Sequence, residues 1–184
     1  MSDATFGRAP TLENPLLGLL LIRPMHGYDL HQVLIDNVGM VWHVRQSQTY
    51  STLDRLERRG LIVGDIEEQA NRPQRKVNSL TAAGRQRADK WLVTPGRCSV
   101  QIIRMDLPVR LFILAHLAPR RVPEVLADQR QAIFDGYMDM NRSLAAIPPD
   151  QPYNRMAVAF RVHQVWAMLE WLDHLLQSYQ NNSA

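Results

Sequence analysis

The chain has 184 residues, 46% of them hydrophobic and 21% charged, with a formal net charge of +3; this is the composition of one domain, or two small ones, with a real core. Its longest apolar run, residues 16–22, is far short of the roughly 20 residues of a membrane-spanning helix, and residues 1–5 carry no basic secretory leader. A single cysteine, Cys98, excludes an internal disulfide framework, so a cytoplasmic protein is expected.

The leucine-rich run 16–22 reads as a helix wrapped in core. Pro24 and Gly27 punctuate it, and residues 28–38 form a second helix with Leu30, Val33 and Leu34 on one face, ended by Gly39. A third helix runs from about residue 48 to 59 and stops at Gly60, a C-capping residue. The period then changes. Residues 61–63 and 77–80 are short β-prone segments around a polar loop, a hairpin whose tip carries Arg72, Arg75 and Lys76 and is stiffened by Pro73. Thr81 caps a fourth helix that reaches about residue 93. Three helices, a two-stranded wing and a helix are the plan of a winged helix.

Beyond a junction near Pro95-Gly96 the pattern is all helical. A short helix over 105–117 accepts Pro108 in its first turn, a longer one from near Pro123 ends at Pro148-Pro149, and the last runs over about 154–180. In that last helix Val158, Val162, Val165, Leu169, Leu172, Leu176 and Tyr179 alternate at spacings of 4 and 3, a coiled-coil seam expected to clamp two copies into a homodimer. The expected fold is mostly α. A winged helix-turn-helix domain occupies residues 1–95, with an N-terminal extension over 1–14; an all-α dimerisation domain occupies 96–184.

Charge divides the chain similarly. The stretch from Arg45 to Lys90 carries +4 and that from Pro123 to the end −3, so the front half is expected to meet a polyanion. On a helical wheel Thr49, Leu53 and Leu56 of the third helix face inward, while Gln48, Ser51, Thr52, Arg55 and Arg59 occupy the opposite arc. Arginine suits guanine, glutamine suits adenine, and the hydroxyls suit either bases or phosphate. Gln46 and Ser47, just ahead, are placed to meet phosphate. A solvated polar face is the competing reading, but arginines at a hairpin tip have no packing role, and together they point to double-stranded DNA.

Three motifs carry a family resemblance. Residues 16–20 followed by Pro24-Met25-His26-Gly27-Tyr28-Asp29-Leu30, residues 48–62, and Arg72-Pro73-Gln74-Arg75-Lys76-Val77 with Ser79-Leu80-Thr81-Ala82-Ala83-Gly84-Arg85 together resemble the PadR family of regulators over residues 16–93. Arg110-Leu111-Phe112 and Trp171-Leu172 resemble the long form with a virulence-activator-type C-terminal helical region. Ser51 stands where the family usually has proline, and Asn78 where it often has an aromatic. The resemblance implies a homodimer, Tyr50 among the DNA-facing residues, control by promoter occupancy (a ligand-responsive repressor on a pseudo-palindromic operator) and often a small aromatic effector.

Trp42, Trp91, Phe112 and Trp166 are the candidates for lining an effector pocket, against ordinary packing. Cys98 offers a redox-responsive alternative, which needs an exposed, low-pKa thiol. No histidine pattern fits a metal, no cofactor is expected, and no P-loop, dinucleotide fingerprint, zincin or nucleophile-elbow motif is present, so an enzyme is not expected. The alternative of another class is a winged helix used as a protein-interaction module.

Overall fold

A computed structural model describes residues 11–40, 42–67 and 75–181. In chain order it contains α1 (Glu13–Ile22), β1 (Met25–His26), α2 (Gly27–Val38), α3 (Gln46–Arg58), β2 (Ile62–Glu67), β3 (Arg75–Leu80), α4 (Ala82–Val93), α5 (Leu107–Leu117), α6 (Val122–Ala145) and α7 (Pro152–Asn181). These form two compact units, residues 11–94 with 104–119, and residues 95–103 with 120–181. The fold is mostly helical with a winged helix, as expected. One boundary between the units lies at 94/95, beside the expected junction, but α5 groups with the winged helix. Leu107, Val109, Ile113 and Leu114 of α5 are buried, and its neighbours are α1 and α2. Its place in the sequence, beside the C-terminal helices, hid that partnership.

The first unit is built around α1. Leu16, Leu17, Leu19, Leu20 and Leu21 are all buried, and a run with no polar stripe must be covered on every side. Helices α3, α4 and α5 and strand β3 surround it. Trp91 of α4 lies across Gly18, where a Cβ would come within 2.6 Å of the indole ring, and its Nε1 donates to Asp106 at 3.1 Å. Arg110 of α5 is fully buried and donates from Nε and Nη2 to the carbonyl of Leu92 at 3.3 and 3.0 Å. That carbonyl lies in the last turn of α4, where helix geometry supplies no partner.

The sheet is antiparallel in the order β1-β3-β2. In the wing, Ile62 pairs with Leu80 and Ile66 with Lys76. Gly60 turns the chain from α3 into β2 with φ +66°, a conformation that glycine adopts without penalty. Thr81 caps α4 as expected, its Oγ1 accepting the Gly84 N–H at 3.1 Å. Strand β1, two residues long, is too short to show a period in the sequence. Buried Asn78 of β3 holds it, donating to the Met25 carbonyl at 3.2 Å; this gives the residue that stands in an aromatic's place a structural use.

In the second unit α6 and α7 form an antiparallel hairpin. Arg130 donates to both carboxylate oxygens of Asp173, at 2.5 and 3.1 Å, and the Tyr137 and Trp166 rings lie 5.5 Å apart. Along α7, Val162, Val165, Leu169 and Leu172 are buried, while Val158, Leu176 and Tyr179 are half-buried. The element they pack against is α6 of the same chain. The residues expected to clamp two copies thus already have a helical neighbour within the chain. A 3.5-residue repeat calls for a helical neighbour, but it does not say which chain supplies it. Gln129, a polar break in the α6 pattern, is fully buried: it donates to the Gly96 carbonyl at 2.9 Å and accepts the Gly96 N–H at 2.7 Å. Among the described residues no helix is long and apolar enough to cross a membrane.

Candidate nucleic-acid interface

Thr49, Thr52, Leu53 and Leu56 anchor α3 in the first unit. Gln46, Ser47, Gln48, Tyr50, Ser51, Arg55 and Arg59 remain exposed. Thr52 departs from the reading face on which the wheel placed it, being only 4% exposed. Packing of α3 against α1, α2 and β2 widens its buried arc beyond the apolar residues, and a threonine can enter that arc because its hydroxyl finds a partner. Thr52 Oγ1 accepts from Arg55 Nη2 at 3.4 Å.

Several exposed groups are already engaged locally. Gln48 Oε1 accepts the Arg45 N–H at 2.8 Å, satisfying a backbone donor at the start of α3 and leaving the Gln48 amide –NH₂ facing solvent. Ser51 Oγ donates to the Gln48 carbonyl at 3.1 Å, a bond that the proline usual in the related family could not make. Tyr50 packs its ring on Gly27, where a Cβ would approach within 2.8 Å, yet stays 43% exposed.

The cations are organised by acids. Glu13, in the first turn of α1, accepts from Arg55 Nε at 2.8 Å, Arg59 Nη1 at 2.9 Å and Arg87 Nη2 at 2.6 Å. Burial would push its carboxyl pKa up, but the hydrogen bonds from Arg55 and Arg87 and the charges of Arg87 and Arg59 outweigh it and hold the pKa below the ordinary value. Lys76 is not at the wing tip: it lies within β3 and pairs with Glu57 of α3 at 2.5 Å. Arg75 lies in β3 opposite Glu67; its side chain, and the whole of Arg72, lie outside the described residues. Arg45, Asp54 and Arg58, which are not among the expected DNA-facing residues, are also exposed on or beside α3. A wheel that included every polar residue of the helix would have found the last two. Nothing local marks Glu13, whose arginine partners lie 42, 46 and 74 residues away.

The effector candidates fall in different units. Trp42, Trp91 and Phe112 belong to the first and Trp166 to the second. Trp91 is occupied with Gly18 and Asp106, and Phe112 lies 4.4 Å from the His116 ring. A groove of about 300 Å³ in the second unit is lined by Val100, Ile103, Gln164, Ala167, Met168 and Trp171, none of them among the four. Cys98 packs its Cβ and Sγ on the α6 backbone at Gly136. Burial pushes its thiol above the ordinary value, with Arg161 opposing, which disfavours the thiolate a redox sensor needs. Among the described residues no group of three His, Cys, Asp or Glu is gathered to hold a metal.

Residues 16–90 match the model of the Transcriptional regulator PadR-like family. A curated relative, the negative transcriptional regulator PadR of Bacillus subtilis, is 24% identical over 120 residues, which is 65% of this chain and 65% of that protein, just under two thirds of its length. Among solved structures, Bacillus subtilis PadR in complex with operator DNA is 21% identical, with 91% of this chain and 97% of that chain covered and a TM-score of 0.46. The same protein in complex with p-coumaric acid is 19% identical over 92% and 98% of the two chains, with a TM-score of 0.40.

Proposed function

We propose, from the match of residues 16–90 to the model of the PadR-like family of transcriptional regulators, that this protein is a cytoplasmic homodimer that occupies a pseudo-palindromic operator and represses transcription until a small aromatic effector binds. The observation that carries the DNA reading is α3 itself. One helix face is buried, while its first two turns offer Gln46, Ser47, Gln48, Tyr50 and Ser51 to solvent and its last turns offer Arg55, Arg58 and Arg59. Helix-turn-helix proteins read bases from the N-terminal part of such a helix. The hydroxyls and amides of residues 46–51 are therefore the base readers, and the arginines serve phosphate, joined by Arg72 and Arg75 of the wing.

With the α7 seam engaged on α6, a second copy is assigned to the apolar residues α7 leaves open. Tyr153, Met156 and Phe160 follow at spacings of 3 and 4 and are 81%, 67% and 64% exposed, a cluster that favours an interface. The groove beside Trp171 is an apolar site of a size that suits a small aromatic compound. The curated relative's name supports repression.

Selection of bound duplexes from a random pool, with and without a panel of aromatic compounds, tests the reading. A pseudo-palindrome with half-sites about 34 Å apart is expected, with affinity lowered by one class of compound. Ser47→Ala and Ser51→Ala should shift the preferred bases, whereas Arg72→Ala with Arg75→Ala should weaken all sequences alike. A wild-type chain that binds no duplex would favour the protein-interaction module instead.

A further inference from the structure

We propose that Glu13 is a positioning residue for DNA: it holds Arg55 and Arg59 of α3 in one fixed arrangement as a phosphate fork. This inference rests on the DNA-binding reading above.

The anchor comes first. Glu13 is 8% exposed, and Arg87 of α4 fixes it from behind, donating Nη2 to its Oε2 at 2.6 Å and Nε to Asn14 Oδ1 at 3.1 Å. A carboxylate in the first turn of a helix is also favoured by the helix dipole. Onto this point come two arginines one helical turn apart. Arg55 engages Nε with Glu13 and Nη2 with Thr52, and Arg59 engages Nη1 with both carboxylate oxygens. Nη1 of Arg55, and Nε and Nη2 of Arg59, are left as donors on side chains 45% and 52% exposed.

Three guanidiniums on one carboxylate leave a surplus of two positive charges, so the cluster still attracts an anion. The geometry also restricts which anion contact is available. With its Nε held, Arg55 lacks one edge of the fork used in bidentate pairing, which favours a phosphate oxygen over a guanine edge. Free arginines pay a conformational cost on binding that tethered ones do not.

Bare electrostatics and positioning predict opposite signs for Glu13→Gln. Removing a negative charge near the duplex should tighten binding, whereas releasing the two arginines should weaken it. The test is fluorescence anisotropy on the full chain with a random-sequence duplex of about 30 bp, some three helical turns, across a salt series. The expected result is affinity about five- to tenfold weaker, the scale of re-ordering one or two long side chains, with a shallower salt slope. Glu13→Gln added to the Arg55→Ala, Arg59→Ala background should cause no further loss, because only the charge effect, which favours binding, is left. Unchanged or tighter binding by Glu13→Gln overturns the proposal. So does an equal loss in the arginine-free background, which would make Glu13 a purely structural support. A wild-type chain with no affinity for the duplex overturns the DNA-binding reading itself, a separate outcome.

Discussion

At the scale of single residues, the position of Arg55 decides what it can recognise. An unconstrained arginine at this helical position pairs with guanine through two donors. Here Nε is held by Glu13 and Nη2 by Thr52. Arg55→Ala should therefore weaken binding by a similar factor on every duplex, with the log–log salt slope reduced by about 1 and base preference unchanged. Binding assays on the selected site and its single-base variants check this, and loss of preference at one base pair would return Arg55 to the bases. The sequence showed Arg55 and Arg59 as polar and helical, but it could not show Glu13, because the ion pairs close over tens of intervening residues. Thr52 was misread for a related reason, since burial is set by what packs on a helix as well as by its own polarity.

At the scale of elements, α7 carries two apolar stripes. One, through Val162, Val165, Leu169 and Leu172, is buried on α6; the other, through Tyr153, Met156 and Phe160, is exposed. Substitutions on the two should behave differently. Leu169→Asp places a charge at a position 3% exposed and should cost about 3–5 kcal/mol, the range for an uncompensated buried charge, seen as loss of helical circular dichroism. Phe160→Asp should leave helicity intact while sedimentation shows a monomer. A dimer that survives Phe160→Asp with full helicity would move the interface elsewhere. Periodicity made α7 and its seam legible. It could not tell an intramolecular hairpin from a coiled coil between copies, because both satisfy the same repeat. Strand β1 had no such signal, being two residues long.

For the whole molecule, two carboxylates of the first unit set opposite pH dependences. Glu13, faced by Arg55 and Arg59 from α3 and Arg87 from α4, has its pKa held below the ordinary value near 4.5. Its contribution to stability is therefore full above that value and is lost as pH falls through the folded pKa. Asp106 faces Trp91 and Arg110. Burial raises its pKa above the ordinary 3.8, against the Trp91 hydrogen bond and the Arg110 charge. Acid therefore protonates Asp106 more readily in the folded chain, which relieves a cost. Thermal midpoints between about pH 6 and about pH 3 should fall less in Glu13→Gln than in the wild-type chain, and more in Asp106→Asn. The reverse order would mean that the arginine cluster does not stabilise the fold.

The sequence by itself determined the order of helices, the wing, the cap at Thr81, the turn at Gly60 and the polar character of α3. Each follows from local periodicity or from one residue's backbone preference. Tertiary structure alone decided that α5 joins the winged helix, that the α7 seam closes on α6, that Asn78 holds β1, that Thr52 turns inward and that Glu13 gathers three arginines. Those outcomes depend on which distant surfaces meet, and a one-dimensional pattern records a segment's need for a partner without recording the partner.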